Sequence, residues 1–280
     1  MSADSTLARG LRKAGVAAIL LLCACGMERR VEKADEALRA GDLQAAEVGY
    51  RYVLEREPET VGALYGLGWV YLQDGDALRA RDYFKRCSRV DSDDFRCHKG
   101  LGSVALSQNL LSQAETSFQD ALKRAEEPAD KAAVLNSLGL VRANSGRTEE
   151  ALSMFEQAIS LEPDRGEYRF NLAEGLKALK RYDDALRSVD DALELQIEEV
   201  RFRGMLLILR ADILVFMTVN RLDASDCDGT LPPVLAYLDR ADRALEQAEA
   251  LGVEVPQLYT IRRKVHTRRS YVTQDCASSG

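Results

Sequence analysis

Two groups of residues in this 280-residue chain have types that could do chemistry: six cysteines and several clustered carboxylates. Cys23 and Cys25 directly follow an apolar run, whereas Cys87, Cys97, Cys227 and Cys276 lie far along the chain. Thiolates bind zinc, but these spacings are wrong for a zinc site and only His98 and His266 could assist. Asp223, Asp226, Asp228 and Gly229 have part of a calcium-loop pattern. Ala224 breaks the alternation, however, and no Glu closes the loop at the required distance. Glu28, Glu32 and Asp35 share a helical spacing that reads as a solvated face, not an acid–base pair. The sequence has no phosphate-cradling glycine loop, no nucleophile elbow and no paired histidine ligands. The expectation is a non-enzymatic chain with no catalytic residue, no metal and no cofactor.

The elements that would carry these residues are helices. In 132–165, small or apolar residues fall at Leu135, Leu138 and Gly139, then at Ala151, Phe155, Ala158 and Leu161, with Arg142 as an exception. Asn144, Ser145 and Gly146 break the middle, and Pro163 marks the end. One helical hairpin cannot bury its apolar faces and needs neighbours of its own kind. They are present. The turn position recurs at Gly41, Gly75, Asn109, Gly146 and Lys180. A small residue recurs at Ala46, Ala80, Ala114, Ala151 and Ala185, and a large one at Tyr50, Phe84, Phe118, Phe155 and Val189. The step is 34 residues, except for one of 37 at an insertion, Ala129–Lys131, where Asp130 is placed to cap the next helix.

This period, held in register over several columns, resembles the tetratricopeptide repeat family. The resemblance covers about Met27 to Glu199, as repeats 27–60, 61–94, 95–128, 132–165 and 166–199. It implies an all-α, right-handed α-solenoid whose first helices line a concave groove. Carried over position by position, it places Tyr65, Trp69, Arg96, Lys99, Asn136, Leu140, Phe170 and Asn171 in that groove, with Glu174 and Lys177 following. Aromatics would supply buried area, amides would meet a peptide backbone, and Arg or Lys would take a carboxylate. The alternative is that these side chains pack on neighbouring repeats and touch no ligand.

After residue 199 the register fades. Residues 200–272 read as a degenerate sixth repeat and capping helices, and 273–280 as a disordered tail. Val200–Asn220 is richly apolar, but Arg210 and Asp212 interrupt it, which argues against a membrane span. A loop is expected over Leu222–Pro233, then a helix to Leu251 ended by Gly252, then a basic helix over Pro256–Val272 that caps the array.

The N-terminus has a different character. Arg9, Arg12 and Lys13 precede an apolar run, Ala14–Leu22, too short to span a membrane comfortably. The run ends in Leu-Cys-Ala-Cys-Gly, which is similar to the lipobox of bacterial lipoproteins. That resemblance implies a signal peptide over 1–24, lipidation at Cys25 and an acyl anchor such as palmitate. Gly26, being non-acidic, permits sorting to the outer membrane. The alternatives are ordinary cleavage and an uncleaved anchor. Four cysteines would then remain in an oxidising compartment, where they allow three pairings. Cys87 with Cys97 is favoured because their segments should touch across an inter-repeat turn, and Cys227 with Cys276 follows. The alternative is four free buried thiols.

With 46% hydrophobic residues the chain can form one elongated helical domain. Its net charge of −7, without a basic stripe, makes it a poor nucleic-acid binder. The functional expectation is a binding scaffold on the periplasmic face of a bacterial outer membrane. In architecture it resembles the repeat-containing lipoproteins that help secretin pores of type IV pili, or related secretion machines, to assemble. The alternatives are a structural tether in an envelope complex and an accessory subunit for polysaccharide or cell-wall export. Oligomeric state is open.

Overall fold

The computed structural model describes residues 26–219, 221 and 227–279; the leader residues 1–24, Cys25, Asp223 and Asp226 lie outside these. Among the described residues every regular element is an α-helix. The chain divides into two compact units between Ala125 and Glu126. The first unit holds α1 (26–39), α2 (Leu43–Leu54), α3 (Val61–Gln73), α4 (Ala77–Val90), α5 (Phe95–Ser107) and α6 (Leu111–Arg124). The second holds α7 (Pro128–Asn144), α8 (Thr148–Leu161), α9 (Gly166–Ala178), α10 (Tyr182–Glu194), α11 (Val200–Met217), α12 (Cys227–Ala250) and α13 (Pro256–Ser279).

Each repeat turns in the same way. Gly41, Gly75, Asn109, Gly146 and Lys180 all have left-handed backbones, with φ between +57° and +85°. In each, the next amide donates to the carbonyl five residues back, as Asp42 does to Ala37 and Arg181 to Leu176. That bond satisfies carbonyls the helix end would otherwise leave open. Asp42 and Asp76 then cap the following helices through their carboxylates, at 2.9 Å from the amides of Ala45 and Arg79. Lys180 takes the strained turn without being glycine, a cost of roughly 1 kcal/mol.

The core follows from one recurring fit. Tyr50, Phe84, Phe118, Phe155 and Val189 are at most 1% exposed, and the alanine column is fully buried. Phe84 lies between Gly68 of its own repeat and Gly100 of the next; a Cβ on Gly68 would stand 2.5 Å from the ring. Gly102 faces Phe118 and Gly139 faces Phe155 in the same way. The fifth repeat has Ala173 in the glycine column and Val189 in the aromatic one, both fully buried. The methyl gained on one helix is offset by the ring lost on the other. In the first repeat the hydroxyl of buried Tyr50 donates to Asp35 at 2.5 Å. Burial first, and then this carboxylate, push the phenol's pKa up. Asp35 is therefore part of the packing, because a buried hydroxyl needs an acceptor, while Glu28 and Glu32 remain exposed.

The structure differs from the sequence reading at four places. Composition pointed to one elongated domain, but there are two units, and the division falls where the 34-residue step breaks. Ala125 and Glu127 are extended, and Pro128 lacks an amide hydrogen, so α6 does not run on into α7. Asp130 does not cap α7. Pro128 occupies its first turn and Glu127 the cap position, so the insertion lengthens α7 to 17 residues, against 13 in α3, α5 and α9. The second helix of the sixth pair starts at Cys227, not Pro233, and takes Pro232 and Pro233 into its early turns. Residues 273–279 are helical rather than a disordered tail, because Val272 is fully buried and Cys276 is bonded to Cys227.

The other disulfide joins Cys87 near the end of α4 to Cys97 near the start of α5, with both residues fully buried. Each crosslink contributes on the order of 2–4 kcal/mol by restricting the unfolded chain. Thiol titration of the denatured full chain should therefore gain four thiols on reduction; an unchanged count would remove both bonds. Gly139→Leu should abolish the cooperative thermal transition of the helical signal. Adding Phe155→Ala should restore part of it by vacating the space the leucine needs. A double variant no more stable than the single one would refute this packing.

Candidate functional site

In the first unit the expected groove residues sit on α3 and α5. Tyr65 and Trp69, one helical turn apart, meet edge-on at 6.2 Å between ring centroids. Both lean on Phe84, at 5.8 and 6.0 Å, and both stay half-buried. Burial pushes the Tyr65 phenol's pKa up. The indole nitrogen of Trp69 is covered, so it offers no donor to a visiting chain. Arg96 is exposed, with its guanidinium 5.6 Å from the Tyr65 ring centre and 2.5 Å from the Asp94 carboxylate. Burial alone would raise the Asp94 carboxyl's pKa, but the side-chain and backbone hydrogen bonds from Arg96 and its charge together outweigh it and hold the pKa below the usual carboxylate value. Lys99 lies one turn further along α5, half-buried. The result is an aromatic step with an oriented cation above it.

In the second unit, Asn136 on α7 is 4% exposed and accepts from the side-chain amide of Asn171 on α9 at 2.8 Å. The pair expected to meet a peptide backbone is thus at least partly spent in joining two first helices. Leu140, one turn beyond Asn136, is half-buried. Phe170 packs against Phe202 at 6.0 Å between centroids.

Phe170 also lines a cavity of about 350 Å³ bounded by α9, α11 and α13. Met205, Ile208 and Leu209 of α11 and Ile261 of α13 form most of its apolar wall. Its polar side is Asp212, held 3.2 Å from Lys177 and 2.8 Å from Lys264. Lys177 reaches Glu174 as well, at 2.9 Å. Burial alone would lower the Lys177 pKa, but these two carboxylates outweigh it and hold the pKa above the ordinary lysine value. Sequence reasoning placed Phe170, Glu174 and Lys177 here but missed α11 and α13. The available signal was Asp212, a carboxylate inside an apolar run, which requires a cationic partner once buried.

Among the described residues, no group of three or more His, Cys, Asp or Glu could hold a metal ion, and no helix is long and apolar enough to cross a membrane.

Comparison with known proteins agrees with this geometry. Two family models, both described as tetratricopeptide repeat, match residues 31–94 with 99–152, and 143–198. The human protein O-mannosyl-transferase TMTC3 is 32% identical over 127 residues, which is 39% of this chain but only 14% of that protein. Among solved structures, pilF of Pseudomonas aeruginosa superposes with a TM-score of 0.62 at 17% identity, covering 85% of this chain and 97% of pilF. TTC0263, a thermophilic repeat protein of Thermus thermophilus, gives 0.60 at 23% identity, over 65% and 98%. These structural likenesses concern the fold. With matched models over more than half its length and the turn and aromatic columns seen in the coordinates, the chain belongs to the tetratricopeptide repeat family.

Proposed function

We propose that this protein is a non-enzymatic assembly scaffold, anchored by an acyl group on Cys25 to the periplasmic face of a bacterial outer membrane. It would hold a segment of a partner envelope protein on its first-helix faces. The observation that carries the binding role is the half-buried pair Tyr65 and Trp69 with Arg96 above them. Large rings left partly open on a rigid helix give contact area at little entropic cost, and an oriented guanidinium adds direction. Protein binding is the role the family fold supports. The finer reading, a part in assembling secretin pores of type IV pili or a related secretion machine, rests on lipobox-plus-repeat architecture. The fold likeness to pilF is consistent with it.

A second reading has its own observation. Val48 on α2 and Leu78 on α4 are 65% and 70% exposed. Both belong to second helices, so an apolar contact there would suit a tether in an envelope complex whose first-helix faces stay empty.

Cys25→Ser should move the protein from the membrane fraction to the soluble fraction; retention in the membrane would refute the acyl anchor. A photo-crosslinking residue at position 69 in living cells should capture a discrete envelope protein, identified by mass spectrometry. A folded, membrane-bound protein that captures nothing there, but does from position 78, would favour the tether.

A further inference from the structure

The two disulfides among the described residues stand in different surroundings. Cys87 and Cys97 are both 0% exposed and cluster with Leu64, with Leu54, Val61, Tyr65 and Tyr83 packed against them. Exchange requires an outside thiolate to reach a sulfur atom. At this bond the helices of two repeats would have to part first. Cys227 and Cys276, by contrast, are each half-buried. They lie at two helix ends, the first residue of α12 and nearly the last turn of α13.

The bond joins two segments that local structure alone holds weakly. Pro232 and Pro233 fall in the early turns of α12 and have no amide hydrogen. Neither can donate the helical bond to the carbonyl four residues back, at Asp228 and Gly229. Leu231, packed against the core of this unit, sits between Cys227 and the prolines. On α13, three contacts hold the helix as far as residue 272. Arg268 donates to the Thr218 carbonyl at 2.7 Å, Arg269 pairs with Asp239 and Asp242 at 2.8 and 2.6 Å, and Val272 is fully buried. Thr273 then donates back into its own helix, to the Arg269 carbonyl at 2.9 Å. Past it, the bond from Cys276 is a covalent tie to α12.

We propose that Cys227–Cys276 is a thiol-exchange site, opened by a dithiol reductant while Cys87–Cys97 stays closed, and that its opening releases the last turns of α13 and the first turn of α12. A thiolate of the reductant attacks one sulfur and forms a mixed disulfide, and the other sulfur leaves as a thiolate. The reductant's second thiolate then attacks the mixed bond. Two electrons have passed to the pair, the two protons lost by the dithiol end on Cys227 and Cys276, and the reductant departs as its own disulfide. The bond had joined residues 49 apart. Without it each end depends on a short stretch of helix, which is marginal in water by itself. Leu231 thus becomes free to leave the core in the reduced state. The site goes beyond the scaffold reading and does not rest on it, since it uses neither Cys25 nor the α3 and α5 surface.

The test is graded reduction of the folded full chain with dithiothreitol, quenched with iodoacetamide and read by peptide mass spectrometry. Cys227 and Cys276 should be alkylated together, roughly tenfold faster or more than Cys87 and Cys97. Hydrogen exchange on the chain reduced to that stage should speed up over 227–231 and 273–279 and stay unchanged over 31–199. The double variant Cys227→Ser, Cys276→Ser should show the same exchange pattern without reductant, and dithiothreitol at that stage should change it no further. Equal rates at the two pairs, or earlier opening of Cys87–Cys97, overturn the exchange site. Unchanged protection over 273–279, in both the reduced chain and the double variant, overturns the release. So does a loss of protection that spreads through the repeats, because the bond would then support the whole fold and not two helix ends.

Discussion

The repeats depend on one steric constraint: a large side chain on each second helix needs space that only a missing Cβ on a facing first helix provides. Phe84 between Gly68 and Gly100 shows it most fully, since the same ring locks its own hairpin and joins it to the next. Burying such a ring contributes about 2–3 kcal/mol, but only at a backbone approach that glycine allows. The left-handed turns serve the same end, because they return the chain so that glycine and ring face one another. Where the constraint is relaxed, both sides change together, as Ala173 and Val189 do.

Beyond the repeats a different interaction takes over. Asp212 is buried in α11 and needs counter-charge, which it receives from Lys177 of a regular repeat and from Lys264 of the last helix. This one carboxylate ties the regular part of the second unit to its irregular part. Arg269, set between Asp239 and Asp242, and the Cys227–Cys276 bond fix the far part of α13 onto α12. The last helix is thereby held as one wall of the cavity it shares with α9 and α11.

The two candidate surfaces were legible to different degrees. Tyr65, Trp69 and Arg96 could be placed together because the repeat period fixes which positions share a first-helix face. Asn136 and Asn171 were placed on that face too, yet their hydrogen bond to each other depends on the distance between α7 and α9, which no period encodes. The part that α11 and α13 play in the cavity was not legible, because α13 contributes through contacts with residues about fifty positions away.

By itself the sequence determined the helix count of the repeats, the turn residues, and the buried aromatic and alanine columns. These are local: a 34-residue period, a left-handed turn and an apolar face are all written within one hairpin. The tertiary structure alone decided the division at Ala125, the helical continuation to Ser279, and which cations neutralise Asp212. Those outcomes turn on burial and on distances between elements remote in sequence, where desolvation and pairing energies, not local propensity, choose the arrangement.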